Sequence, residues 1–301
     1  MKLVSFARAG AIGYGVHLGD SVLDLRLAAS LAGESALPVD MIGFIASGAA
    51  GLTTARRLLA ATGVVEAARI PADQIRLLAP IPRPAKNVFC VGRNYVDHVA
   101  EGYRARGTEI KLPEFPQFFT KPPTAVIGPD ETITHDPSLT QMLDYEVELA
   151  VVIGKHGCDI TAENAMEHVY GYTIANDITA RDLQRRHDQW FKGKGLDRSC
   201  PLGPWIVTVD EIEDYRAIEL SLYVNGERRQ NAKVGQMIFD IPAIIASLSA
   251  GMTLEPGDII ATGTPSGVGY AMTPPRPLKA GDEVVCEIAP IGRLVTRIVG
   301  R

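Results

Sequence analysis

The sequence predicts a β-rich α+β protein, with a small N-terminal α/β domain over residues 1–78 and a larger β-rich domain over residues 79–301. Three observations lead there. Short apolar runs rich in β-branched residues recur along the second part between Gly and Pro, and helix-period stretches are few. Between the two parts lies Ala79-Pro80-Ile81-Pro82-Arg83-Pro84. Prolines at alternate positions cannot continue a helix or donate to a central sheet, so an extended linker is expected there.

Ahead of the linker, residues 3–6 and 14–18, joined through Gly10 and Gly13, suit a hairpin, and residues 39–47 and 53–68 read as short helices. This part holds no cluster of His, Cys or carboxylates, so a structural or dimer-supporting role is expected of it. Beyond the linker, strands are expected at 87–91, 147–153, 169–174, 205–209, 220–224, 258–261 and 283–288, and helices at 179–187 and 241–249. That order does not suit a doubly wound parallel sheet, and no repeat or low-complexity tract is present.

Composition narrows the function. An apolar share of 46% and a charged share of 22% belong to a globular chain. A net charge of −5 without a basic block argues against nucleic acid as a partner. Cys90, Cys158, Cys200 and Cys286 form no C-x-x-C pair, which excludes a zinc knuckle and fits reduced thiols in a cytoplasmic protein. No apolar run reaches the ~18 residues of a membrane span, and residues 1–6 do not open a signal peptide.

The sharpest feature is Asp144-Tyr145-Glu146-Val147-Glu148, leading into Leu149–Ile153 as residues 149–153. On a strand Glu146 and Glu148 share one face, Cα atoms ~7 Å apart. A lone E-x-E usually lies on a solvated face. Here that face continues as Ala150 and Val152, and the opposite face is Tyr145, Val147, Leu149 and Val151. A strand apolar on both sides is buried, and two buried carboxylates need a cation or strong pKa shifts. Asp177 ends a second apolar run before the expected helix, where it is either a helix N-cap or a third ligand. Three carboxylates form a hard oxygen set, suited to Mg²⁺, Mn²⁺ or Ca²⁺ rather than Zn²⁺.

Five blocks, in order, resemble the fumarylacetoacetate hydrolase family: CVGRNYVDHVAE at 90–101, the block at 144–154, GYTIANDITARDLQ at 171–184, KGLDRSCPLGPW at 194–205 and GDIIATGTPSGVG at 257–269. The resemblance covers residues from about 80 to 301. It implies a rolled mixed β-sandwich, a homodimer, and Mg²⁺ or Mn²⁺ held by Glu146, Glu148 and Asp177.

His98 and Glu101 lie three apart, on one face of any helix there, a spacing often seen in idle surface pairs. The resemblance implies a His–Glu dyad that removes a proton from water. It implies Lys194, seven residues before Pro201, beside the metal, with Lys192 the weaker candidate. For Arg181 and Gln184 it implies a substrate-orienting role, although Arg181 would serve equally as a structural ion-pair partner. It gives Thr264, in the turn TGTPSGVG, to the substrate carboxylate. Residues 102–107 (GYRARG) suit a mobile lid whose arginines could meet a second anionic group, and His17, His135, His156, His168 and His187 are assigned to structure.

The expected substrate is a small 2-oxo acid. Hydrolytic carbon–carbon cleavage of a 2,4-dioxo acid ranks first. Oxaloacetate decarboxylation follows, then tautomerisation or dehydration of a 2-keto-3-deoxy sugar acid. A non-catalytic binding module is the reading of another class, and retention of every expected functional residue weighs against it.

Overall fold

The computed structural model describes all 301 residues. Its main sheet runs in the order Arg69–Pro71, Ser21–Asp24, Ala11–His17, Lys2–Arg8, Cys200–Thr208, Val169–Asn176, Val147–Ile153, Ile259–Ala261, Val88–Gly92 and Gln117–Lys121. A second sheet runs Glu227–Lys233, Glu219–Val224, Glu283–Ile288, Gly292–Gly300 and Thr132–His135. Most joints are antiparallel; Ile259–Ala261 with Val88–Gly92, and Gly292–Gly300 with Thr132–His135, are parallel. The architecture is thus strand-rich, mixed α/β and not a closed barrel.

Val147–Ile153 shows why the molecule is layered. Its residues 147, 149, 151 and 153 enter a core shared with Tyr172, Ile174, Leu220, Leu222, Val284 and Cys286, between the two sheets. Ala150 and Val152 point the other way, into a core closed by Leu3, Tyr14, Phe44, Ile45 and Leu58 from the N-terminal part. The N-terminal strands also extend the main sheet, through Lys2↔Val207 and Leu3↔Ile206. A strand apolar on both faces finds two cores.

Several sequence expectations shift. The expected helix 179–187 is a two-residue strand, Thr179–Ala180, paired with Leu143–Asp144, followed by the helix Arg181–Arg186. The expected helix 53–68 is two helices, Gly48–Ala60 and Thr62–Ala68. The expected mobile lid is instead the end of the helix Val96–Arg106, capped by Gly107 at φ 67°. Glu227–Lys233 (ERRQNAK) escapes an apolar search because it is a charged edge strand. All four cysteines are free, three of them buried, and no helix is long and apolar enough to cross a membrane.

Candidate metal centre and active site

The antiparallel register of Val147–Ile153 on Val169–Asn176 pairs Val147 with Asn176, so Glu146 and Asp177 meet at one end of the ladder. The Asp177 amide donates to the Glu146 carbonyl at 2.9 Å, locking the two chains together there. One carboxylate oxygen from each of Glu146, Glu148 and Asp177 lies within 4.8 Å of the others. These residues are 4%, 1% and 1% exposed, which removes the solvated-face reading. The N-cap reading of Asp177 fails too. The helix starts at Arg181 behind Ala180, which makes no side-chain cap bond.

Buried cations surround this cluster unevenly. Lys194 Nζ donates to Glu146 Oε2 at 2.6 Å and to Asp177 Oδ2 at 2.5 Å. Lys121 Nζ donates to Asp177 Oδ1 at 2.7 Å and to the carbonyls of Ile178 and Lys194. Arg181 Nε donates to Asp144 Oδ2 at 2.9 Å, and its Nη2 lies 2.6 Å from Glu146 Oε1 without hydrogen-bond alignment. Asp144 is fixed in turn by the amides of Tyr145, Gly269 and Tyr270. Glu148 is the exception: it forms no ion pair and accepts from the Gly263 amide at 2.8 Å. Gly263 sits at φ +101°, and a Cβ there would lie 2.7 Å from Asn94 Cβ, so glycine is what lets that amide reach Glu148.

The electrostatics follow from this placement. Burial alone would raise the Glu146 carboxyl, but Arg181 and Lys194 outweigh it and hold the group well below the usual carboxylate range. Burial, then repulsion from Asp177 and Glu146, pushes Glu148 well above that range. Burial works against the Lys194 ammonium, yet Asp177 and Glu146 more than compensate and raise its pKa. A hard divalent cation fits this set: three buried oxygen donors converge, and one of them lacks a counter-ion.

Glu146 and Glu148 of this cluster floor a cavity of about 340 Å³ that also receives His98, Arg181, Gln184, Lys194, Thr264 and Tyr270. His98 Nδ1 is 2.8 Å from Glu101 Oε1, and Glu101 Oε2 accepts from the Gly267 amide at 2.8 Å, so the pair is anchored rather than idle. Gln184 accepts from Arg181 Nη1 at 3.3 Å. The Thr264 hydroxyl is already engaged, donating to the Val147 carbonyl at 2.9 Å and accepting from Gln230 Nε2 at 2.8 Å. In this arrangement the hydroxyl braces the loop against Val147 and Gln230, and Thr264 also lines the cavity. Lys192 is exposed, whereas Lys194 turns inward.

The family profile described as Fumarylacetoacetate (FAA) hydrolase C-terminal matches residues 87–299. The chain belongs to this family. It is 46% identical over 290 residues, 93% of each chain, to the oxaloacetate tautomerase YisK of Bacillus subtilis (strain 168). To the mitochondrial oxaloacetate tautomerase FAHD2A of Homo sapiens it is 41% identical over 305 residues, covering 99% of this chain and 92% of that one. The solved fumarylacetoacetate hydrolase (EaFAH) from psychrophilic Exiguobacterium antarcticum superposes with a TM-score of 0.81 at 40% identity, over the full length of both chains.

Within this member of the fumarylacetoacetate hydrolase family, sequence reasoning missed Lys121, Asp144 and Gln230 as builders of the centre. Lys121 carried a weak signal, a lone cation closing the aromatic strand Gln117–Lys121. Asp144 stood beside the E-x-E without a role until Gly269 and Tyr270 supplied it. His187, assigned to structure from the sequence, also lines the cavity. His135 and His168 bond to the carbonyls of Thr140 and Lys155, and His17 packs on Trp205 with ring centroids 4.3 Å apart. In the helix Val96–Arg106, Gly102 is buried, and a Cβ there would lie 2.8 Å from the Tyr270 hydroxyl.

Proposed function

We propose that the chain is a divalent-metal-dependent enzyme that interconverts the enol and keto forms of oxaloacetate. The observation that carries this reading is one cavity joining Glu146 and Glu148 of the convergent carboxylate cluster to Lys194 and His98. Relatives bearing the name oxaloacetate tautomerase over nearly the whole chain favour the substrate. Glu146, Glu148 and Asp177 would hold Mg²⁺ or Mn²⁺, which would supply electrophilic stabilisation of enolate charge.

The remaining work falls to the chain itself. Lys194, charged and buried against Glu146 and Asp177, adds a fixed positive group beside the developing oxyanion. With the Nδ1 proton directed to Glu101, His98 has its Nε2 free to exchange protons in the cavity. Enol-to-keto conversion takes a proton from the hydroxyl on carbon 2 and delivers one to carbon 3. No carbon–carbon bond breaks and no water is consumed, so one base that both accepts and returns a proton suffices. Gln184, its carbonyl held by Arg181, presents its amide nitrogen to orient the substrate carboxylate.

Hydrolytic cleavage of a 2,4-dioxo acid, first on the sequence, becomes the second reading. The anchored His98–Glu101 pair favours it, because the same base can deprotonate water. Decarboxylation of oxaloacetate would use the same enolate. The test follows loss of enol absorbance with Mg²⁺, in parallel with pyruvate release and acetylpyruvate cleavage. Faster enol loss without pyruvate is expected. His98→Ala should lower kcat by about 10²–10⁴-fold while Mg²⁺ still raises the melting temperature. Acetylpyruvate cleavage with no effect on enol decay would transfer the assignment to hydrolysis. A homodimer belongs to this proposal on family resemblance, with sedimentation as its test.

A further inference from the structure

Arg93 directly follows the strand Val88–Gly92 and has a φ of 57°, a left-handed conformation that glycine takes freely and arginine does not. That turn directs its guanidinium between two aromatic rings, with Cζ 5.7 Å from the Tyr103 centroid and 5.4 Å from that of Trp190. The preceding residue makes the arrangement possible. A Cβ on Gly92 would lie 2.3 Å from Trp190 Cζ3, so only glycine admits the indole at that depth. Trp190 meets Phe119 edge-on at 5.6 Å, and Lys194 Nζ stands 4.9 Å from the Phe119 ring. One wall therefore runs from the carboxylate centre through Lys194, Phe119 and Trp190 to Arg93, and all four line the same cavity.

Arg93 has neither an ion-pair nor a hydrogen-bond partner, although Asp188 lines the same cavity. A guanidinium held by its faces keeps its in-plane N–H groups free, and that edge matches a carboxylate. Lys would not reproduce it, because an ammonium neither stacks in this way nor offers the fork. Arg106, 4.8 Å from the Tyr103 ring, adds positive potential on the same side.

We infer that Arg93 is a specificity-determining residue that binds the second carboxylate of a short 2-oxo dicarboxylic acid. Its first carboxylate and oxo group lie at the Glu146–Glu148–Asp177 centre. This rests on the proposed reading that the site takes 2-oxo acids, and it names the charge that selects among them.

The test compares two ligands that differ at one end, oxaloacetate and 2-oxobutanoate, whose methyl replaces the distal carboxylate. Binding of each to the Mg²⁺-loaded full chain is measured by calorimetry, with tryptophan fluorescence as a second readout. The wild type should favour oxaloacetate, and Arg93→Met should shrink that preference by about 10–100-fold. Arg93→Lys, which preserves the charge, should restore part of it. An unchanged preference in R93M, or an equal loss for both ligands, overturns the inference. If the wild type favours oxaloacetate in binding but does not accelerate enol loss, the tautomerase reading falls and the role of Arg93 stands. If the wild type binds neither acid, both fall.

Discussion

Lys121→Met tests the charge arrangement most directly. Lys121 is fully buried, and its ammonium donates to Asp177 Oδ1 at 2.7 Å and to two carbonyls. Methionine keeps most of the apolar stem and deletes the charge with its donors. Removing one partner of a buried ion pair costs about 3–5 kcal/mol. At roughly 2 °C per kcal/mol for a chain of this size, the chelated protein should melt about 6–10 °C below wild type. The ion should respond in the opposite sense. Loss of Lys121 frees an Asp177 oxygen and removes a repelling cation, so Mg²⁺ should bind more tightly. Each tenfold gain in affinity returns about 1.4 kcal/mol at saturating metal. Thermal melts in chelator and in excess Mg²⁺ measure both effects, with a wide gap in the first and a narrower one in the second. A variant melting with wild type in chelator would refute the counter-ion role. A gap that widens with Mg²⁺ would refute the opposition between Lys121 and the metal.

Glu148 contributes a pH dependence of its own to the metal-free protein. Its folded pKa is raised, so its stabilising contribution is complete below the unfolded value of about 4.3 and is lost as pH rises through the folded value. Melting temperature in chelator should fall across that window, Mg²⁺ should stabilise more as pH rises, and Glu148→Gln should flatten both trends. Opposite slopes would reverse the assignment. Gly263→Ala meets both a positive φ and the Asn94 Cβ, so it should lower stability by about 1–3 kcal/mol and weaken Mg²⁺ binding. Wild-type values in melts and metal titrations would show that the amide of residue 263 does not hold Glu148. A fragment of residues 79–301 bares Ala150, Val152, Ile206 and Ile259, all buried in the shared core, and should aggregate. A soluble, cooperatively melting fragment would make the second part an independent domain.

The centre was legible where one strand carried the whole pattern. Period-two alternation put Glu146 and Glu148 together, and apolar residues on both faces declared them buried. Asp177 stayed ambiguous because an acid before a helix has two ordinary uses, and only the start of the helix at Arg181 separates them. The counter-charges were not legible. Lys121 reaches Asp177 across 56 residues, and Asp144 meets the Gly269 amide across 125. No local periodicity encodes such contacts. Residues 102–107 suit a mobile lid on the sequence because a glycine's permissiveness is visible there, whereas the crowding of Gly102 by Tyr270 is not. Arg93 was hidden for a similar reason, since a left-handed φ leaves no mark on the residue that adopts it.

The distribution of charge explains why this cluster calls for an ion. Asp144, Glu146, Glu148 and Asp177 are buried with Lys121, Arg181 and Lys194, so the acids exceed the bases by one. The excess is localised, because Glu146 and Asp177 each have two cationic partners and Glu148 has none. A proton on Glu148 can neutralise it, which is what its raised pKa expresses. A divalent ion in place of that proton inverts the excess to one positive charge, and the carboxylate of a 2-oxo acid would cancel it. A second carboxylate on the same substrate would then find no partner at the centre. The cavity still offers cations with no acid of their own, Arg106 and Arg185 on its helices and Arg93 along the aromatic wall. A dicarboxylate would then be preferred, because one anion neutralises the metal-loaded centre and the cavity still holds unpaired cations for the next.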